Sequence, residues 1–159
     1  FFTSEVIALN EQVLKEVVLL TAFIPLLTGS GGNVGAQSST VVIRGLSTQR
    51  IQALGPLWVV VREAIAGALL GLLMLLVVVP FAWWRGGGPL VAAAVGISLM
   101  AITTLAATAG AALPLLFKRM GLDPALMSAP FIPTATDVAG VIIYLSTAAW
   151  LLANLPLAA

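Results

Sequence analysis

Asp137 is the only charge in PTATDVAGVIIYLSTAAWLL, residues 133–152. A charge at membrane depth costs roughly 3 kcal/mol on insertion scales, so it normally faces a cavity, an ion or a partner group. A carboxylate there points to a cation path. The competing reading is an aspartate near a helix end, one turn past Pro133, whose side chain reaches the interface. A second polar set runs from Thr28 to Thr40, TGSGGNVGAQSST. Asn33 and Gln37 are four residues apart, so on a helix they share a face. Amide oxygens, hydroxyls and bare carbonyls suit a hard cation or its hydration water. The alternative is that the small residues let helices pack closely and the amides bond a neighbouring helix.

The elements that carry these residues read as membrane helices. The 159 residues are 60% hydrophobic and 8% charged, against about 25% charged in soluble domains. Four apolar blocks stand out: 13–46 with a glycine-rich break at 28–35, then 57–84, 89–117 and 133–155. Each reaches the roughly 20 helical residues that cross a hydrocarbon core. A continuous helix over 13–46 would be about 50 Å long, so irregular backbone is expected at its polar centre. The expected fold class is an all-α membrane protein, with residues 1–12 as a separate N-terminal segment. Pro56, Pro89 and Pro133 sit near expected helix starts. Gly121, after Lys118 and Arg119, marks a helix C-terminus. A chain opening on Phe1 suggests that a first segment lies upstream.

Composition excludes much chemistry. The chain has no cysteine and no histidine, and its net charge is +1. Thiolate or imidazole metal sites, cysteine nucleophiles and histidine bases are therefore impossible, and no nucleophile–base pair suggests an enzyme. No basic cluster suggests nucleic acid. A phosphate-loop reading of GSGGNVG lacks the Walker lysine and a preceding strand. Arg44, Arg50 and Arg62 surround the first connection, and Lys118 and Arg119 lie in the third, which makes five of the seven basic residues. By the positive-inside rule the first and third loops are cytoplasmic, and the second loop and C-terminus face outward. Trp83 and Trp84 become interfacial anchors at the outer face. Glu5, Glu11 and Glu16 lie near the outer mouth, as a cation-attracting or simply solvated face. Glu63 reads as a helix-start carboxylate favoured by the helix dipole, and Gly67-x-x-x-Gly71 as a packing face.

Two motifs carry a family resemblance. FIPLLTGSGGNVGAQSSTVVIRGL (23–46) resembles the second transmembrane helix of MgtE-type magnesium channels, with Pro25, Gly29, Gly31, Gly32, Asn33, Gly35, Gln37 and Arg44 in its pattern. PTATDVAGVIIYLS resembles that family's last helix, through Thr136, Asp137, Gly140 and Tyr144. The resemblance covers residues 10–152. It implies a homodimer with one central pore lined by the second and last helices of both protomers. Asp137 then matches the selectivity carboxylate, holding a largely hydrated Mg2+. Gly29, Asn33 and Pro133 match pore-facing positions, Gln37 shares the face of Asn33, and Thr136 joins the lining.

These residues depart from the pattern in four ways. Four transmembrane helices are visible where the family has five, residues 1–9 matching at most the tail of the first. The 159 residues do not include the family's regulatory cytoplasmic domains, which leaves open whether they lie outside this stretch. Ala129 also precedes Pro130 where an asparagine is common, and Pro133 is bulkier than the small residue common at its place. The expected function is Mg2+ uptake through this dimeric pore in the plasma (inner) membrane of a prokaryote. A cation-coupled secondary carrier and a non-conducting scaffold subunit of a membrane complex are the alternatives.

Overall fold

The computed structural model describes residues 2–9, 18–48, 51 and 55–154. Among them the fold is all-α: α1 (Phe2–Leu9), α2 (Leu19–Ser47), α3 (Pro56–Ala82), α4 (Gly88–Arg119) and α5 (Pro124–Asn154). Two stretches are long and apolar enough to cross a membrane: Pro56–Arg119, which doubles back near its middle, and Pro124–Asn154. Helix α2, at 29 residues, has the length, but its polar centre makes it less apolar than the others.

The glycine-rich stretch 28–35 does not break its helix, contrary to expectation; α2 is continuous from Leu19 to Ser47. The reason lies in its neighbours. A Cβ added at Gly31 would lie 2.8 Å from Ile102 Cγ2, and one at Gly35 would lie 2.7 Å from Ile132 Cγ2. Bare glycine lets α2 seat directly on α4 and α5, and that packing offsets the low helix propensity of glycine, about 1 kcal/mol per residue. Residues 10–17, with Glu11, Lys15 and Glu16, lie outside the described residues, as do Arg50 and the chain end from 155 onward.

Helix boundaries follow local chemistry. Pro56 occupies the first turn of α3, and Pro89 that of α4, where a missing N–H costs nothing. The α3–α4 turn, Trp83–Gly87, is a tight π-type turn reversing at Gly86, φ +84°. Trp83 and Trp84 are both exposed there. At the far end of α4, Leu122 N–H donates to Phe117 O at 3.0 Å and Gly121 N–H to Lys118 O at 3.2 Å. With Gly121 at φ +75°, this is a Schellman cap at the predicted position.

Helix α5 begins nine residues before Pro133. Asp123 caps it, accepting from Ala125 N–H at 2.8 Å and Leu126 N–H at 3.3 Å. Pro130 and Pro133 are therefore inside the helix, and Pro133 is not a helix start. Asp137 consequently lies about 20 Å along α5 at 1.5 Å per residue. A helix-end aspartate reaching the interface does not describe it.

Helix α4 is the centre of the bundle, packing against α2, α3 and α5. It is antiparallel to α3: Gly71 meets Met100 and Thr103, and Gly96 meets Leu75 and Val79. It is parallel to α2, with Gly31 at Ile102 and Gly35 at Ala106. Helix α5 runs antiparallel to α2, pairing Leu20 with Tyr144 and Gly32 with Asp137. The main core joins Leu20, Phe23, Leu27, Val95, Leu99, Ile102, Val141 and Tyr144. The short α1 rests on α5. Gly67 and Gly71 form the close-packed seam expected of them, Gly67 against Ala107 and the Thr103 carbonyl.

Candidate functional site

The two polar motifs meet at the α2–α5 seam. A Cβ built at Gly32 would lie 3.4 Å from Asp137 Oδ1 and 3.9 Å from Pro133 Cα. A side chain at this position would stand in ordinary contact with the carboxylate, which glycine leaves uncovered on the α2 side. Asp137 is half-buried and has no hydrogen-bond or ion-pair partner among the described residues. Gly29, Asn33 and Gln37 are exposed on the outer face of α2, and nothing lies within 4 Å of a Cβ at Gly29. Neither Asn33 nor Gln37 bonds another side chain or backbone group among the described residues.

The glycines thus divide by face. Gly31 and Gly35 take the close-packing role, whereas Gly29 and Gly32 border open space and the carboxylate. The close-packing reading thus holds for one side of the helix, and the other side is left open.

Thr136 goes elsewhere. It is 4% exposed, and its hydroxyl donates to Ile132 O at 2.8 Å within α5. Its methyl group lies 3.4 Å from the Cβ position of Gly35. Thr136, Gly140 and Tyr144 recur at i, i+4 and i+8, so they share the inner face of α5; Asp137 sits beside that face. Thr136 is therefore a packing residue and not part of the open lining.

Below Asp137 the seam continues into a cleft of about 260 Å³ lined by Ala36, Ser39, Thr40, Ser128, Ala129 and Pro133, among others. Ser128 Oγ is buried there without a hydrogen-bond partner, a demand that ordered water normally meets. Ser39 belongs to the polar set from Thr28 to Thr40, whereas Ser128 escaped sequence reasoning because an isolated serine in an apolar helix is commonplace.

Glu63 departs from expectation more sharply. It is the eighth residue of α3 and 7% exposed, too far in to be a helix-start carboxylate. It accepts from Ser38 Oγ of α2 at 2.9 Å and from Arg62 Nη2 at 3.2 Å. The Arg62 guanidinium stands 5.9 Å from the Trp58 ring centroid. The Glu5 side chain is exposed on α1.

Among the described residues no three acidic, histidine or cysteine side chains gather as a metal cage. The seam offers one carboxylate, with exposed amides on the neighbouring helix and hydroxyls in the cleft below it. That set suits an ion which keeps its water, since Mg2+ dehydrates reluctantly and is usually held through few protein oxygens.

The MgtE family model, described as a divalent cation transporter, matches residues 24–147. A magnesium transporter MgtE from Thermus thermophilus is 42% identical over 150 residues, covering 94% of this chain and 33% of its own length. Proteins of the same name from Enterococcus faecalis and Bacillus subtilis are 34% and 31% identical. Each alignment covers 92% of this chain and 32% of the relative. The chain thus spans about a third of the length of the curated relatives it matches. With the family model matched across both polar motifs, and the apolar helices that carry them, this chain belongs to the MgtE family of membrane transport proteins.

Proposed function

We propose that this chain forms the membrane pore of a Mg2+ channel that works as a homodimer. The observation that carries the reading is the open strip of Gly29, Asn33, Gln37 and Asp137, polar and unpartnered on an otherwise apolar helical surface. Lipid cannot satisfy such groups; a water-filled path or a second protomer can. Two copies facing across a twofold axis bring two Asp137 carboxylates together around a hydrated ion. Their mutual repulsion is relieved by a divalent cation. Selectivity then comes from the width of the path and the field of the carboxylates, without full dehydration. Pro133 narrows the path beside Gly32, and the hydroxyl-lined cleft below it extends the wet surface.

Arg44, Arg62, Lys118 and Arg119 lie at one end of the bundle and Arg85 at the other, by the helix directions. The positive-inside rule makes the first end cytoplasmic. An inside-negative potential then drives a divalent ion inward with about 4.6 kcal/mol per 100 mV. The role is transport and not catalysis, in the cytoplasmic membrane of a prokaryote.

The test is Mg2+ entry into liposomes carrying the purified protein, comparing wild type with Asp137→Ala and Asp137→Asn under Ca2+ competition. Loss of flux or of Mg2+ preference in both variants is expected. Flux and preference equal to wild type in both would falsify the assignment of Asp137.

A further inference from the structure

Among the described residues, two side-chain hydrogen bonds link separate helices, and both hold α2. Tyr144 Oη donates to Leu20 O at 3.0 Å near the start of α2. Ser38 Oγ donates to Glu63 Oε2 at 2.9 Å in its second half. The open residues Gly29, Asn33 and Gln37 lie between these two points. At 100° per residue Ser38 points about 140° away from Asn33, so Glu63 holds the helix from behind its polar face.

A carboxylate is a costly way to make this contact. Glu63 sits about 10 Å into α3 and is almost fully covered. A well-packed neutral side chain is usually no less stabilising than a buried charge, so a retained buried charge fits best where it fixes one arrangement among several. Behind its polar face, α2 meets α4 through small residues, Gly35 against the Ala106 carbonyl and Gly110 against the Gly35 carbonyl and Ser38 Cβ, while Ile102 at Gly31 and Ile132 at Gly35 set its spacing. None of these apolar contacts is directional in the way a hydrogen bond is. Contact between α2 and α3 is otherwise sparse. The Ser38–Glu63 bond is the directional contact at this level, and Arg62 steadies the carboxylate from its outer side.

We infer that Glu63 is a positioning residue of the permeation path: acting through Ser38, it fixes the rotation and height of α2, and with them the placement of Asn33 and Gln37 relative to Asp137. The inference rests on the reading of α2 as a pore helix.

The experiment compares Ser38→Ala, Glu63→Ala, Glu63→Gln, the Ser38→Ala/Glu63→Ala pair and Asp137→Ala, reading Mg2+ flux and the Mg2+/Ca2+ preference in liposomes. A hydrogen bond to a charged group corresponds to a bias of tenfold or more between arrangements. Ser38→Ala and Glu63→Ala should each lower the preference by roughly tenfold on that scale, and the double variant should be no worse than either. Glu63→Gln keeps an oxygen that accepts from Ser38 and should retain the preference. Multiplying losses in the double variant overturn the inference, because the two residues would then act separately. Preference lost in Asp137→Ala but kept in Ser38→Ala and Glu63→Ala refutes the role of Glu63 alone. Preference kept in all variants, Asp137→Ala included, refutes the pore reading and the inference with it.

Discussion

Replacing Gly35 and Gly29 by alanine, one at a time, separates the packed side of α2 from its open side. At Gly35 the new Cβ would stand 2.7 Å from Ile132 Cγ2 and 3.3 Å from the Ala106 carbonyl oxygen. Ordinary carbon contacts lie at about 3.5–4.0 Å, so α2 and α5 must part locally by about 1 Å. Ile132 is 1% exposed, and its Cγ2 is borne directly on a β-branched Cβ with restricted χ1. Overpacking of this kind costs about 1–3 kcal/mol. At Gly29 nothing lies within 4 Å, so no such cost arises. Both variants gain the same helix propensity, up to about 1 kcal/mol, which cancels when they are compared. Gly35→Ala should therefore melt below Gly29→Ala by on the order of 5 °C, taking 2–4 °C per kcal/mol for a chain of this size. The assay is thermal unfolding of the purified variants in one lipid or detergent system. Equal melting temperatures would refute the claim that Gly35 is a contact glycine and Gly29 an open one.

Two further predictions concern the frame around the site. Tyr144→Phe removes a hydroxyl buried against the Leu20 carbonyl and should cost about 1 kcal/mol, read as a lowered melting temperature; an unchanged value argues against that anchor. Gly121→Ala places a side chain at φ +75° in an open turn. The conformational cost is about 1–2 kcal/mol, so thermal stability should fall while Mg2+ preference stays at wild type; a shifted preference would contradict the purely conformational role.

Much of this arrangement was legible in the sequence, for reasons that can be named. Pro56, Pro89 and Gly121 mark their helix ends because their backbone constraints act locally, whatever packs around them. Gly67 and Gly71 declared a packing seam through their spacing alone. Asp137 stood out because a lone carboxylate in an apolar run has few explanations. The start of α5 was misplaced because Pro133 and Pro130 resemble start signals, while the actual cap, Asp123, precedes another proline, Pro124. The continuity of α2 was hidden for a tertiary reason: the seats for Gly31 and Gly35 are Ile102, Ala106 and Ile132, distant in sequence. Thr136 was misassigned because adjacency to Asp137 on a helix means a turn of about 100° away from it. Glu63 was misread for want of its partner, since nothing local announces a hydrogen bond to Ser38.

The parallel and antiparallel pairings also set an order of assembly. The α3–α4 hairpin joins neighbours in sequence through the Gly86 turn and can close once Arg119 has emerged. The contact between Tyr144 and Leu20 spans 124 residues, and the meeting of Gly32 with Asp137 likewise waits for the last helix. Local contacts form early and distant ones late, because loop closure costs entropy before contacts repay it. The α2–α5 seam that holds Asp137 is thus the last part of the fold to come into being. A chain halted before Pro124 would hold the central α3–α4 hairpin but not the seam at which Gly32 meets Asp137.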